Sequence, residues 1–198
     1  MPITINGSGT VTGISAGGLP DNVITTNDIA DGAVTMVKRS EQMTLATAQA
    51  STSGTAIDFT GIPSWVKKIT VMFNGVSTSG TSVVVIQIGS GSFVSTGYTG
   101  SSANLTDAAV ASVGIRGAGF GVDNAVTASA VRHGTAVITS FGGNLWVCNA
   151  CAGRSDATGI GVGSGSITLS GTLDRVRITT VNGTDTFDAG SINILYEG

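Results

Sequence analysis

The chain has 198 residues, which is enough for one domain and a short additional segment. Only 11% of the residues are charged and the formal net charge is -3, so a broad basic surface for nucleic acid is excluded. Hydrophobic residues make up 41%, with 30 glycines and similar numbers of serine and threonine. This composition favours strands over helices and supplies enough apolar surface for a folded core.

The low charge has two explanations that the sequence leaves open. A free domain usually carries about 25% charged residues, which keep its surface soluble. Either part of this protein's surface is covered by other chains, or the surface is solvated by hydroxyl and amide side chains instead of charges. The first explanation predicts an oligomer, and the second does not.

Residues 1–40 predict an extended N-terminal arm. They contain no aromatic residue, and their short apolar stretches are separated by Gly, Asn and Asp turns. No stretch is long enough to bury a face alone, so we expect order only where copies of the arm pair between chains. This region shows no secretory signal, and the longest apolar run, Val83–Ile86, is too short to cross a bilayer. We therefore expect a protein made in a cytoplasm, without membrane insertion.

Residues 41–198 predict an all-β body of seven or eight short strands, a β-sandwich of jelly-roll type. The clearest strands are an alternating one from Trp65 to Phe73, ended by Asn74-Gly75, and one from Val83 to Ile88 that is apolar on both faces. A hairpin is expected around Phe141-Gly142-Gly143, and Ser191–Tyr196 reads as a half-buried last strand.

Between these strands lie segments with weaker patterns. A single helical turn is expected over Thr106–Ala111. Three stretches rich in Gly, Ser or Ala predict long loops: Gly89–Asn104, Gly114–Ala128 and Gly153–Ser166. Long loops on a rigid sheet often carry recognition, although parts of them could also be strands whose pattern is hidden.

The motifs with catalytic or metal-binding associations are better explained by structure. Cys148-Asn149-Ala150-Cys151 stands without further ligands for zinc, and two buried, reduced thiols are the expected state. A G-x-S-x-G motif at Gly13–Gly17 runs into Gly18 and Pro20, which do not allow the helix that a nucleophile elbow requires. His133 is the only histidine, and a surface or interface role is expected for it. We predict no enzyme activity, no metal site and no cofactor.

Aromatic residues fall into two groups by context. Trp65, Phe73, Trp146 and Tyr196 lie on predicted strands and should fill the core. Three others lie in the predicted loops, where their rings either contact a sugar ring or fold back onto the sandwich. These candidates for receptor contact are Phe93, Tyr98 and Phe120.

Two parts of the sequence resemble bacteriophage tail fibres. Asp31-Gly32-Ala33-Val34-Thr35 is similar to a connector repeat of such fibres. Ser53–Pro63 with Trp65–Ile69 resembles the opening of a C-terminal β-domain, and Ser170–Ile178 with Ile192–Glu197 resembles its last strands.

The resemblance implies a structural protein of the virion, a short homotrimeric tail fibre that is located on the particle. Its β-domain would face outward for host attachment, and residues 1–40 would dock to other phage structural proteins of the tail or capsid. Only about 40 residues precede the β-domain, so a head fibre or decoration protein that stabilises the capsid without binding a receptor is the alternative. The candidates for virion attachment are the arm residues Ile3, Ile5, Val11, Ile14, Val23 and Ile24.

Overall fold

A computed structural model describes residues 43–107 and 110–198. The predicted arm, residues 1–40, and its six attachment candidates lie outside these ranges. The described residues form 14 strands, which in chain order are β1 Met43–Leu45, β2 Gln49–Ala50, β3 Ala56–Thr60, β4 Lys68–Thr78, β5 Val84–Ser90, β6 Ser92–Phe93, β7 Thr99–Leu105, β8 Val110–Ile115, β9 Phe120–Gly121, β10 Arg132–Gly142, β11 Leu145–Arg154, β12 Ile160–Thr168, β13 Arg175–Thr180 and β14 Phe187–Glu197.

The strands form two antiparallel sheets that pack face to face. The larger sheet has nine strands in the order β1-β14-β4-β10-β11-β12-β7-β8, with β2 also paired to β14. The smaller sheet has the order β3-β13-β5-β6, with β9 also paired to β5. The predicted β-sandwich is therefore confirmed. No helix among the described residues is long and apolar enough to cross a bilayer.

The core lies between the sheets and follows the alternation of the strands. On β4, Ile69, Val71 and Phe73 are buried while the residues between them face outward. β5 is buried on both faces, as its apolar run predicts; β9 pairs with its edge, and the segment before β9 lies on its second face, where the Gln87 amide donates to the carbonyl of Ala118 and Gly119 lies beside Val85. Trp146 is buried, whereas Trp65 and Tyr196 are only partly buried and pack against the core together, with ring centroids 5.9 Å apart.

The hairpin around Phe141 is confirmed as the β10–β11 connection. Its two turn residues, Gly143 and Asn144, have φ values of 58° and 63°. Positive φ at both central positions is the mark of a type I′ turn, whose twist matches that of the flanking strands.

Two local predictions are wrong. Asn74-Gly75 does not end a strand, because β4 continues to Thr78 through a bulge in which Gly75 takes a φ of 68° and is skipped by β10. The helical turn expected over Thr106–Ala111 is wrong in its second half, since Val110 and Ala111 belong to β8.

Of the three predicted long loops, the first and third are largely strand, whereas most of the second lies outside strands as predicted. β6 and β7 lie within the first, β9 and the end of β8 within the second, and most of β12 within the third. β12 has glycine at its core-facing positions 161, 163 and 165. Their missing side chains hide the strand pattern and let the segment after Phe120 pack directly on the backbone of β12, where a Cβ on Gly163 would overlap the carbonyl of Gly121.

Candidate functional site

The most distinctive surface group is an aromatic ring held between two arginines on the outer side of the five-stranded sheet. Phe93 lies on β6, opposite Gly89 of β5, and Gly89 is in turn the neighbour of Arg175 on β13. Because Gly89 has no side chain, the Phe93 ring reaches the β13 arginines: its centroid lies 4.1 Å from Cζ of Arg177 and 5.5 Å from Cζ of Arg175. These distances are those of cation–π contacts.

Two carboxylates hold the arginines in place. Arg177 donates from Nε and Nη2 to the two oxygens of Asp58, both at 2.7 Å. Arg175 donates to Asp174 at 2.7 and 3.0 Å, and the backbone N–H of Gly91 donates to the same carboxylate. The hydrogen bond from Arg175 holds the pKa of Asp174 below its usual value, so this carboxylate is charged at neutral pH. We call Phe93, Asp58, Asp174, Arg175 and Arg177 the Phe93 cluster.

The Phe93 cluster offers the chemistry of a contact site. The ring and both ion pairs are only partly buried, with the side chains of Arg177 and Asp58 33% and 36% exposed. A partly exposed ring beside fixed donors and acceptors suits stacking and hydrogen bonding with a sugar. None of its five members is a nucleophile held by a general base.

The other two receptor-contact candidates occupy a different environment. Tyr98 and Phe120 are only 5% and 2% exposed, and their rings pack edge to face in the core at 4.9 Å. The Tyr98 hydroxyl accepts a hydrogen bond of 2.7 Å from the backbone N–H of Ile88, and burial raises the pKa of the phenol well above its usual value. The alternative in which the aromatics fold back onto the sandwich describes these two residues, and of the three candidates only Phe93 keeps its ring near the surface.

The prediction of two buried thiols is half wrong. Both cysteines are free, but Cys148 is buried and Cys151 is exposed, because residues three apart on β11 face opposite sides of the sheet. Burial raises the pKa of the Cys148 thiol to about 12. Cys148 is therefore unreactive at neutral pH, while Cys151 is accessible from solvent in a single chain.

His133 contacts a serine hydroxyl, but the direction of the hydrogen bond is the opposite of that required for a catalytic base. Its Nδ1 accepts a hydrogen bond of 3.2 Å from the backbone N–H of Gly75, and its Nε2 lies 3.1 Å from Oγ of Ser155. With Nδ1 as acceptor, a neutral ring carries its proton on Nε2 and donates it to Ser155. A general base would have to accept from the serine instead.

Three aspartates that are not part of the Phe93 cluster serve turns and ion pairs. Asp185 accepts from the backbone N–H of Ser82 and from the amide of Asn182, which stabilises the turn after β13. Asp188 is bonded to Ser77, and Asp156 to Arg154. Within residues 43–107 and 110–198, no group of three or more His, Cys, Asp or Glu side chains is placed to hold a metal ion.

Asp123 and Arg132 form a buried ion pair that no pattern in the sequence indicates. Both side chains are 1% exposed, and Arg132 Nε donates to Asp123 Oδ2 at 2.7 Å. Arg132 also donates to the carbonyls of Ala130 and Ala125 at 3.2 and 3.3 Å. These bonds tie the segment between β9 and β10 to the end of the sandwich.

The described surface carries shallow depressions that are open to solvent. One of about 420 Å³ lies on the outer side of the nine-stranded sheet over β7, β11 and β12, and is lined by residues that include Ser101, Asn149, Cys151 and Ser164. A second of about 300 Å³ lies beside Gln49, Asp58 and Tyr196.

Comparisons with protein-family models, with curated proteins and with solved structures found no match to this chain.

Proposed function

We propose that the chain is a structural protein of a bacteriophage virion, a short homotrimeric tail fibre. Residues 1–40 dock to the particle, and the β-sandwich faces outward for attachment to the host surface. Within the sandwich, the Phe93 cluster is the proposed contact for a host glycan. The chain acts by binding and has no enzymatic activity in this proposal.

One observation carries the proposal: the segments that resemble fibre tip domains are neighbours in the fold. Thr60 pairs with Arg175, and the N–H of Ile62 donates to the carbonyl of Asp174 at 3.0 Å. Nearby, the N–H of Lys67 donates to the carbonyl of Glu197 at 2.9 Å. The opening and closing segments thus build one continuous part of the sandwich, which supports treating their resemblance as that of a domain.

The oligomeric part of the proposal is tested by the mass of the full-length chain in solution. Light scattering at micromolar concentration is expected to give three times the 19.6 kDa of one chain. One chain per particle would contradict the homotrimer. Electron microscopy of virions with an antibody to this protein then places it on the tail or on the head.

The attachment part is tested with the variant Phe93→Ala. The purified trimer should bind cells that the virus infects and compete with virions for adsorption, and the variant should lose this competition while keeping its mass. Ser53→Ala, an exposed change in the loop between β2 and β3, is the control and should compete normally.

A capsid head fibre or decoration protein is the second candidate. It is favoured by the open, shallow form of the two depressions and by the fact that both arginines of the Phe93 cluster are already paired with carboxylates. Particles that lack the protein would then break at a lower temperature and adsorb to cells normally, whereas loss of a tail fibre would reduce adsorption.

A further inference from the structure

The outer side of the nine-stranded sheet is almost free of charge. Two neighbouring rows cross six strands from β14 to β7, and each row holds one residue from each strand. The first row contains Leu195, Thr70, Val137, Asn149, Ser164 and Ser101. The second row contains Asn193, Met72, Thr135, Cys151, Val162 and Ala103. Neither row has a charged side chain, and we call these twelve residues the charge-free face.

Apolar side chains extend the charge-free face toward the edge of the sheet. Leu45 of β1 pairs with Leu195 and is 62% exposed, and Met43 beside it is 54% exposed. The next row on the same side contains one ion pair, between Lys68 and Glu197 at 2.5 Å. The other sheet is different, since its outer side carries the two ion pairs of the Phe93 cluster.

We propose that the charge-free face is the surface through which copies of this chain associate, with the three sheets turned toward the threefold axis. This inference rests on the proposed homotrimer. Around a threefold axis, the residues nearest the axis meet their own copies, so the absence of charge over two rows removes the repulsion that like charges would cause there.

The charge-free face is about half the size of a standard contact. Six strands about 4.8 Å apart, and two rows about 7 Å apart on the same side, give a flat area of roughly 400 Å². A standard interface buries about 800 Å² of accessible surface on each partner, and Leu45, Met43 and the row that contains the Lys68–Glu197 pair enlarge the area available for contact. The same orientation directs the Phe93 cluster away from the axis, where a receptor can reach it.

Cys151 makes the proposal testable in the unmodified, full-length protein. It lies in the charge-free face and is exposed in a single chain, while Cys148 is buried in the core of the sandwich. A maleimide reagent is added to the native protein at neutral pH while light scattering gives the mass of the same sample. We expect a trimer in which no thiol reacts, and two reactive thiols per chain after unfolding in guanidinium chloride.

Ser164→Lys supplies the second measurement. Ser164 is exposed on the face, so a lysine should be tolerated by one chain but should place like charges against each other in the trimer. We expect a folded monomer in which one thiol per chain, Cys151, now reacts. Ser53→Lys, an exposed position in the loop between β2 and β3, is the matched control and should stay trimeric with no reactive thiol.

The outcomes separate this inference from the proposed function. A trimer in which Cys151 reacts freely overturns the charge-free face as the interface and leaves the fibre proposal standing. A monomer with a reactive Cys151 overturns both, and a monomer with a protected Cys151 means that the chain covers its own face, which also overturns both. Ser164→Lys that stays trimeric counts against the inference. If this variant does not fold, the labelling of the unmodified protein decides.

Discussion

Asp123 and Arg132 form the one ion pair among the described residues whose two side chains are almost fully buried. The cost of taking two charges out of water is offset here by the salt bridge and by the hydrogen bonds from Arg132 to two carbonyls. Such a pair adds little to net stability compared with an apolar pair, but loss of one partner leaves a buried charge without compensation.

We therefore predict that Asp123→Ala lowers the free energy of unfolding by about 3–5 kcal/mol. Unfolding in urea, followed by circular dichroism, measures the change. Combining Asp123→Leu with Arg132→Met should recover much of the loss, because no charge is then left buried.

The control is Asp58→Ala in the Phe93 cluster. The Asp58–Arg177 pair has an equally short 2.7 Å contact, but its side chains are about one-third exposed. Solvent screens such pairs, and we expect a cost below about 1 kcal/mol. Equal costs for the two substitutions would show that burial does not determine the contribution of these pairs.

The lowered pKa of Asp156 leads us to predict how the stability of the fold depends on pH. The hydrogen bond from Arg154, with a smaller contribution from the N–H of Val131, lowers its pKa to about 2, compared with about 3.9 in an unfolded chain. Because the folded-state pKa is the lower one, the stabilisation is fully present above about pH 4 and is lost as the pH falls toward 2. The urea midpoint of the unmodified chain should therefore approach that of Asp156→Asn between pH 5 and pH 2. A gap between the two midpoints that stays constant with pH would contradict this assignment.

At the level of strands, the glycines of β12 are the most sensitive positions. The backbone of β9 and the residues after it lie directly on Gly161 and Gly163, with no space for a side chain. Gly163→Val should push this segment off the sheet and cost about 2–4 kcal/mol, the size expected for overpacking combined with disturbance of the Asp123 pair.

The neighbouring position gives the control for this prediction. Ser164→Ala on the same strand faces outward, and its effect should stay within about 0.5 kcal/mol. Urea unfolding of the two variants provides the comparison, and a neutral Gly163→Val would mean that the contact between β9 and β12 is not close-packed.

The fold class could be predicted because most strands alternate in the usual way. Val83–Ile88, the hairpin at Gly143-Asn144 and the last strand all have a pattern that depends only on local sequence. β12 could not be predicted, because a strand whose inner positions are glycine has no apolar period to detect. β9 is two residues long and is held by contacts from distant strands, so its local sequence carries no signal.

The candidate site was predictable only in part. Phe93, Tyr98 and Phe120 share a Gly- and Ser-rich context, and sequence alone does not distinguish a ring that turns inward from one that stays outside. The partners of Phe93 are Arg175 and Arg177, which are more than 80 residues away in the chain and meet it only through the pairing of β5 with β6 and β13. The different exposure of the two cysteines follows from the alternation of side chains along a strand. It could be predicted only if both cysteines were known to lie on one uninterrupted strand, as they do on β11.

For the whole molecule, the two outer sides of the sandwich differ in charge. The smaller sheet carries the ion pairs of the Phe93 cluster, and the larger sheet carries the charge-free face. If the trimer forms through that face, its dissociation constant should change by less than about threefold between 0.1 and 1 M NaCl, where the Debye length falls from about 10 to about 3 Å. Sedimentation equilibrium at the two salt concentrations measures it. Tenfold weaker association at high salt would indicate an interface held by ion pairs instead.

The position of β14 has a consequence for synthesis. This strand lies inside the larger sheet, paired with β1 and β2 on one side and β4 on the other. A nascent chain on the ribosome therefore keeps the edge of β4 open until Glu197 has left the exit tunnel, and only then can the β1 segment find its place. During translation this is an unpaired strand edge, the kind of edge at which other chains can add a strand.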